Sequence, residues 1–392
     1  MMLFVFLFVW CPLFGILAYA LYLNHREEVS KGRLWALAVM LSLYLGCLGV
    51  TKELLGDFQQ YHRYFLEVPQ YDLFSYMALF GKEPVYYGYT YLAYYLFMGN
   101  WNLFVISITT ANYLLLSYCL LKLGIYLRTS LGNMLVAFFF MAFFFQEFAA
   151  IGNMLRQGLA QSVTLAFLVR WHIDRKHSWW MALGALGIHT SCLPILAIGL
   201  LPVIRKRFRF STWMLLSVVA CVGAILFYFL GGFLSHLPFV GYIFERTANY
   251  EQLLAVDSWQ TEVGLQPSMV ILLLMLGCMV ILLYRKWNQT GASSVQYVFV
   301  NLNLVLLLMM VVCDLLGMYY LLMRYFFYIY AFQNTLLLVF LDQTPWLFKK
   351  ISKWTVIGCM IVYFFYQFSH NIFSYIPVLE AVVFPLPVYL FI

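Results

Sequence analysis

The sequence predicts an all-α polytopic membrane protein of about 10–12 transmembrane helices, with a broken, re-entrant hairpin near residues 178–204. Three observations predict it. Of 392 residues, 64% are hydrophobic and only 10% are charged, more apolar surface than a water-soluble fold can bury. The apolar residues form continuous runs of about 17–25, the length of a bilayer-crossing helix, and not the alternating ~10-residue segments of a membrane β-barrel. Lys and Arg are concentrated in short loops between those runs, the signature of cytoplasmic connections.

The runs lie near 2–23, 34–51, 101–121, 132–148, 154–170, 212–234, 267–284, 294–317, 320–341 and 354–371. The first is too long for a signal-peptide core and lacks a basic front, so it reads as the first span. Basic loops at 24–33, 122–131, 170–177, 204–211, 284–293 and 342–353 place those connections in the cytoplasm. Loops 170–177 and 204–211 then lie on one side, so the chain between them must enter the membrane and return. Two half-helices over 178–188 and 191–203, with His189-Thr190-Ser191 at the apex, satisfy this; one long span with a misplaced basic loop is the alternative. The stretch "VYYGYTYLAYYLFM" at 85–98 is too short and too rich in Tyr to span, and reads as a re-entrant or interfacial segment on the outer face. The whole reads as a single membrane domain, 1–392, with outer loops near 51–84 and 235–266.

Several function classes find no support. The eight Cys are dispersed through apolar runs without a CxxC, as packing residues are. There is no HExxH, DxD or GxxxxGK[ST], and no Cys/His cluster, so no metal or cofactor is predicted. The basic residues are loop charges, so no nucleic-acid partner is predicted either.

The remaining basic residues, Lys52, Arg63, Lys82, Arg156, Arg246 and Arg324, all fall on the outer side in this topology. Arg156 stands at the mouth of an apolar helix, where a charge is costly. Asn153, Arg156 and Gln157 share one helix face, which Gln161 and Thr164 extend into a polar stripe. Arginine suits phosphate because its planar fork donates two hydrogen bonds at once and keeps its charge. Arg156 therefore reads as an anion ligand, with pairing to Glu147 or reach to the headgroups as alternatives. Arg324 reads likewise, with Asp314 as an available partner. Asp57 and Glu83 are candidate general bases, Asp57 having Arg63 nearby to pair with and Glu83 being directed by Pro84. His189, at the break in the hairpin, is a candidate proton donor or acceptor.

The ordered set "GDFQQYHRYF", "GKEPVYYGYTYL", "NMLRQGLAQSVTLAF", "ALGIHTSCLPIL" and a late "RYFFYIY" resembles the EpsG family of Wzy-type bacterial polysaccharide polymerases, best over residues 50–200. The resemblance implies a GT-C-like helical fold and a metal-independent glycosyltransferase of the bacterial inner membrane. Its substrate would be a glycan on undecaprenyl diphosphate, extended at the periplasmic face into capsule, exopolysaccharide or O-antigen. Membrane lipid, a chain-length regulator and a flippase would be its partners. Carried over, Arg156, Gln157 and Arg324 would hold the diphosphate, and Glu83 or Asp57 would activate the acceptor hydroxyl. His189 would assist the departing diphosphate, and Tyr61, Tyr64 and Tyr87 would line the sugar platform. An O-antigen ligase, another membrane transferase or a lipid-linked oligosaccharide flippase would use similar residues and stay open at this point.

Overall fold

In an apolar run the backbone has no water to bond, so each segment must satisfy its own N–H and C=O groups, and a helix does so. The computed structural model describes residues 2–26, 28–80, 83–234, 267–316, 319–344, 352–370 and 376–391, and no β-strand occurs among them. Five helices among the described residues are long and apolar enough to cross a membrane. They are α3 (Lys31–Val50), α7 (Trp101–Leu127), α14 (Pro267–Thr290), α15 (Ser294–Leu315) and α16 (Tyr319–Gln343). A sixth span results if the bent pair α8 (Leu131–Phe143) and α9 (Phe145–Asn153) counts as one; its axis turns by 47° at Phe144. The chain is a polytopic helical membrane protein.

The other predicted spans take broken or shorter forms. The first, 2–23, is two helices, α1 (Met2–Trp10) and α2 (Pro12–Asn24). Pro12 has no N–H to continue the ladder, so the helix stops at Cys11. The Phe4 ring lies 5.3 Å from Tyr19 and 5.1 Å from Tyr22. In one continuous helix those residues would stand more than about 20 Å apart, so α1 folds back on α2 and the segment is a helical hairpin. Residues 154–170 hold α10 (Leu155–Val169), separated from α9 by Met154 at φ −127°, ψ 63°. Asn153 therefore belongs to α9 and is not on the helix that carries Arg156. The predicted break at His189 is present: α11 (Trp179–Ile188) ends there, His189 is extended, and α12 (Leu193–Leu200) begins after one 3-10 turn.

Residues 51–84, expected as a loop, include α4 (Gly56–Glu67) and α5 (Leu73–Phe80), and the Tyr-rich stretch is α6 (Pro84–Leu96). The expected loop 235–266 lies outside the described residues. The remaining helices are α13 (Phe210–Leu234), α17 (Lys353–His370) and α18 (Val378–Val383).

The chain divides into two compact units, one of residues 1–197 with 337–392 and one of 198–336. In the first, α7 is the central post, packed against α3 on one side and α10 on another, and α10 in turn packs on α11. The C-terminal segment returns to α3, where the Tyr44 and Tyr389 hydroxyls both donate to the Ala381 carbonyl, at 3.0 and 3.1 Å. At the C-terminal end of α10 the Lys122 ammonium meets the Asp174 carboxylate at 2.7 Å, which joins the basic loops 122–131 and 170–177 at one end of the unit. Arg156 is in the first turn of α10, about 22 Å away along the same helix.

The second unit is organised by one buried asparagine. Trp213 Nε1 donates to the Tyr284 hydroxyl (3.1 Å), which donates to Asn301 Oδ1 (2.7 Å). Asn301 Nδ2 donates to the Ile204 and Lys206 carbonyls at 2.8 and 3.0 Å. One side chain thus ties α13, α14 and α15 to the turn before α13. Asn301→Ala strands the buried Ile204 carbonyl and Tyr284 hydroxyl at about 1–3 kcal/mol each. The expected outcome is a clear loss of thermal stability in detergent with helix content unchanged by circular dichroism below the transition; an unchanged midpoint would contradict it.

Candidate functional site

A carboxylate taken out of water needs cations or donors on both oxygens. Glu83 has them. Its Oε2 is ion-paired with Arg156 Nη1, and its Oε1 lies 3.4 Å from His189 Nε2. The Glu83 side chain is 8% exposed, that of His189 10% and that of Arg156 21%. Three separate segments thus meet at one carboxylate: the turn before α6, the start of α10 and the break after α11.

Local structure explains each placement. Pro84 sits at the first position of α6, where its missing N–H costs nothing, and Glu83 precedes it as the half-in residue at φ −140°, ψ 63°. Its side chain caps nothing in its own helix and turns to Arg156 and His189 instead. Gly187, two residues before His189, lets α6 come this close: a Cβ there would lie 2.4 Å from a Val85 methyl. The Ser191 N–H donates to His189 Nδ1 (3.1 Å). Nδ1 is then an acceptor, and the proton of the neutral ring sits on Nε2, facing Glu83.

Arg156 stands at the positive end of the α10 dipole, an unfavourable place for a cation without compensation. Glu83 supplies the opposite charge, and tyrosines supply the rest. Arg156 Nε donates to the Tyr61 hydroxyl (3.2 Å) and Nη1 to that of Tyr87 (3.0 Å). The guanidinium carbon lies 5.1, 5.9 and 5.8 Å from the ring centroids of Tyr61, Tyr86 and Tyr87. Nη2 makes no hydrogen bond with a described residue.

The structure therefore brings together Glu83, Arg156, His189, Tyr61 and Tyr87. Gln157 is buried beside Arg156, and Gln161 and Thr164 are buried further along α10. Tyr64 stands one ring away, edge-on to Tyr87 at 6.3 Å. Asp57, in the first turn of α4, is half-buried and makes none of the cluster's bonds. The expected partners change as well: Arg63 pairs with Glu67 at 3.5 Å rather than with Asp57, and Arg156 with Glu83 rather than with Glu147. Arg324 is half-buried on α16, in the second unit.

Two residues of the site went unnoticed in the sequence. Tyr86 was one Tyr among many. Lys52 looked like an outward loop charge, yet it is only 3% exposed. Its Nζ donates to the Phe148 and Ala149 carbonyls of α9 at 2.6 and 3.3 Å and lies 4.2 Å from the Phe148 ring centroid. Gly152 makes room for it, since a Cβ there would sit 1.6 Å from Nζ. Lys52 thus fastens the helix that ends two residues before Arg156's own begins, and no periodicity in the sequence announces that contact.

The chain matches the EpsG family over residues 34–382. The chain belongs to the EpsG family. This is a family of Wzy-like polysaccharide polymerases, membrane proteins of glycosyltransferase type. Neither a curated relative nor a solved structure matches the chain. The EpsG match covers both units, the segments that carry Glu83, Arg156 and His189, and α16 with Arg324.

Burial pushes the Lys52 ammonium down to about 7, two carbonyls and a ring face standing in for water. The unfolded chain would hold that proton up to about pH 10.4, so between the two values the unfolded state binds more protons and folding stability rises with pH. The stability is full above the upper value, falls as pH drops and is lowest below about 7. Wild type should gain roughly 1.4 kcal/mol per pH unit across this window relative to Lys52→Met, read from unfolding midpoints at pH 7 and 9. Parallel pH profiles for the two proteins would contradict it.

Proposed function

We propose that the Glu83–Arg156–His189 centre transfers a glycan from undecaprenyl diphosphate to the non-reducing end of a second lipid-linked repeat unit, and so polymerises a surface polysaccharide. The observation that carries this reading is Arg156 itself: a guanidinium on the positive end of a helix, bonded through Nε and Nη1, with Nη2 unused by any described residue. That is the donor set a diphosphate recognises.

In the proposed reaction an acceptor sugar hydroxyl attacks the anomeric carbon of the donor glycan. The bond from that carbon to the diphosphate oxygen breaks, and the electron pair leaves with the diphosphate. Arg156 and the α10 N-terminus hold the charge that develops there. The hydroxyl proton passes to the Glu83 carboxylate, whose Oε1 faces the Nε2–H of His189, a donor that holds the carboxylate in place. An ion-paired carboxylate is a poor base. The diphosphate competes with Glu83 for Arg156, so donor binding would release the carboxylate for proton transfer. Tyr61 and Tyr87, both buried, orient the guanidinium through their hydroxyls, and the half-buried Tyr64 beside them would offer its ring face to a sugar. Gln157, next to Arg156 on α10, remains a candidate phosphate contact.

The proposed orientation puts this centre on the periplasmic side of the bacterial inner membrane. It is supported by the basic loops joined by Lys122 and Asp174, at the opposite end of α10 from Arg156.

In a strain lacking the chromosomal gene, plasmid-borne Arg156→Ala is expected to leave single repeat units where wild type restores a ladder, at equal membrane levels. Arg156→Lys keeps the charge but loses the fork, and is expected to slow extension by about 10²–10³-fold. A full ladder from either variant would overturn the reading.

A further inference from the structure

Beyond the charged centre, a second aromatic cluster is built between α5 and α6. Its hub is Tyr76, fully buried, whose hydroxyl donates to the Tyr64 carbonyl at 2.9 Å. Three rings lean on that hub: Tyr87 at 6.0 Å, Tyr91 at 5.9 Å and Tyr71 at 6.3 Å. Tyr87 belongs to the Arg156 cage, so the cluster is continuous with the centre. On the other side the series runs outward, Tyr91 to Tyr95 at 5.2 Å, and exposure rises from 3% at Tyr87 to 53% at Tyr95. Asp72 follows Tyr71 directly in the chain and immediately precedes α5, the helix that carries Tyr76. Asp72 accepts from the Phe74 and Ser75 N–H groups, both at 3.0 Å, which fixes its direction at the start of α5.

Rings that only anchor a helix at the headgroup level need neither a buried supporting ring nor an oriented carboxylate. This patch combines partly exposed tyrosine faces, phenolic hydroxyls and a fixed carboxylate, in unbroken ring contact with the Arg156 cage. That is the chemistry that holds carbohydrate: ring faces under the C–H faces of sugars, acceptors for their hydroxyls. We infer that Tyr71, Tyr91 and Tyr95, with Asp72, form an extended saccharide-binding platform that retains the glycan chain next to the reacting centre and thereby sets the length of the product.

This inference rests on the polymerase reading, and the test separates the two. The full chain carrying Tyr91→Ala with Tyr95→Ala is expressed in the deletion strain, beside wild type, Tyr91→Phe with Tyr95→Phe, and Arg156→Ala. Chain-length distributions are read on a gel of the surface glycan, normalised to protein in the membrane. Each ring removed should weaken chain retention by about two- to tenfold, so the alanine pair should give a ladder with its mode shifted to clearly shorter chains. The phenylalanine pair keeps the faces and should restore most of the length. Tyr95→Ser alone, at the exposed end, should shorten chains without touching the packing around Tyr76, and keeps the test decisive if the double variant fails to accumulate.

A wild-type distribution from the alanine variants at normal membrane levels overturns the inference. Complete loss of extension at normal levels also overturns it, because the rings would then serve the transfer step itself. If Arg156→Ala still makes full ladders, the polymerase reading falls and takes this inference with it. If Arg156→Ala stops at single units while the tyrosine variants match wild type, the inference alone falls.

Discussion

The site depends on one buried carboxylate. Glu83 touches both Arg156 and His189, and each of the three comes from a different part of the chain. Two charges in a low-dielectric setting commit the surrounding backbone strongly, because taking away one partner strands the other at about 3–5 kcal/mol. The break at Met154, the close approach at Gly187 and the proline start of α6 all serve that meeting. Lys52 works one layer further out. By gripping the Phe148 and Ala149 carbonyls it holds α9, and with it the point where α10 can begin on Arg156.

The same arrangement would keep the centre from acting prematurely in the proposed reaction. While Glu83 sits on Arg156, the base is occupied and the guanidinium is partly neutralised. In that proposal a donor diphosphate would bring more negative charge than one carboxylate and would reach the same fork from its open side. Charge exchange, without any large movement of helices, would then ready both groups at once. The aromatic cage fits this role, because tyrosine faces hold a cation without neutralising it.

Much of this was legible in the sequence, for identifiable reasons. The helical membrane class follows from composition, and α3, α7 and α14–α16 from the length of their apolar runs. His189 was legible as a break because the basic loops on either side demanded one. Glu83, Arg156, Tyr61 and Tyr87 were legible because charged and polar residues beside spans are rare. Other features depended on tertiary contact. Pro12 was visible, but that α1 folds back onto α2 shows only in the contact of Phe4 with Tyr19. The polar stripe looked continuous through Asn153 because helical spacing cannot register a single residue at ψ 63°. Asp57 and Glu83 were equal candidates by chemistry, and only the fold pairs one of them with Arg156. Lys52 resembled any loop lysine until Gly152 was seen to make space for it.

The central claim is that Glu83 and a lipid diphosphate compete for Arg156. It is tested most directly by the affinity of the purified full-length protein for undecaprenyl diphosphate, wild type against Glu83→Gln, by equilibrium binding in detergent. Glutamine keeps the shape and removes the competing charge. The account predicts that Glu83→Gln binds the diphosphate more tightly, by about tenfold or more, while forming no polymer. Binding that is equal to or weaker than wild type would contradict it, because Glu83 would then not stand between Arg156 and its ligand.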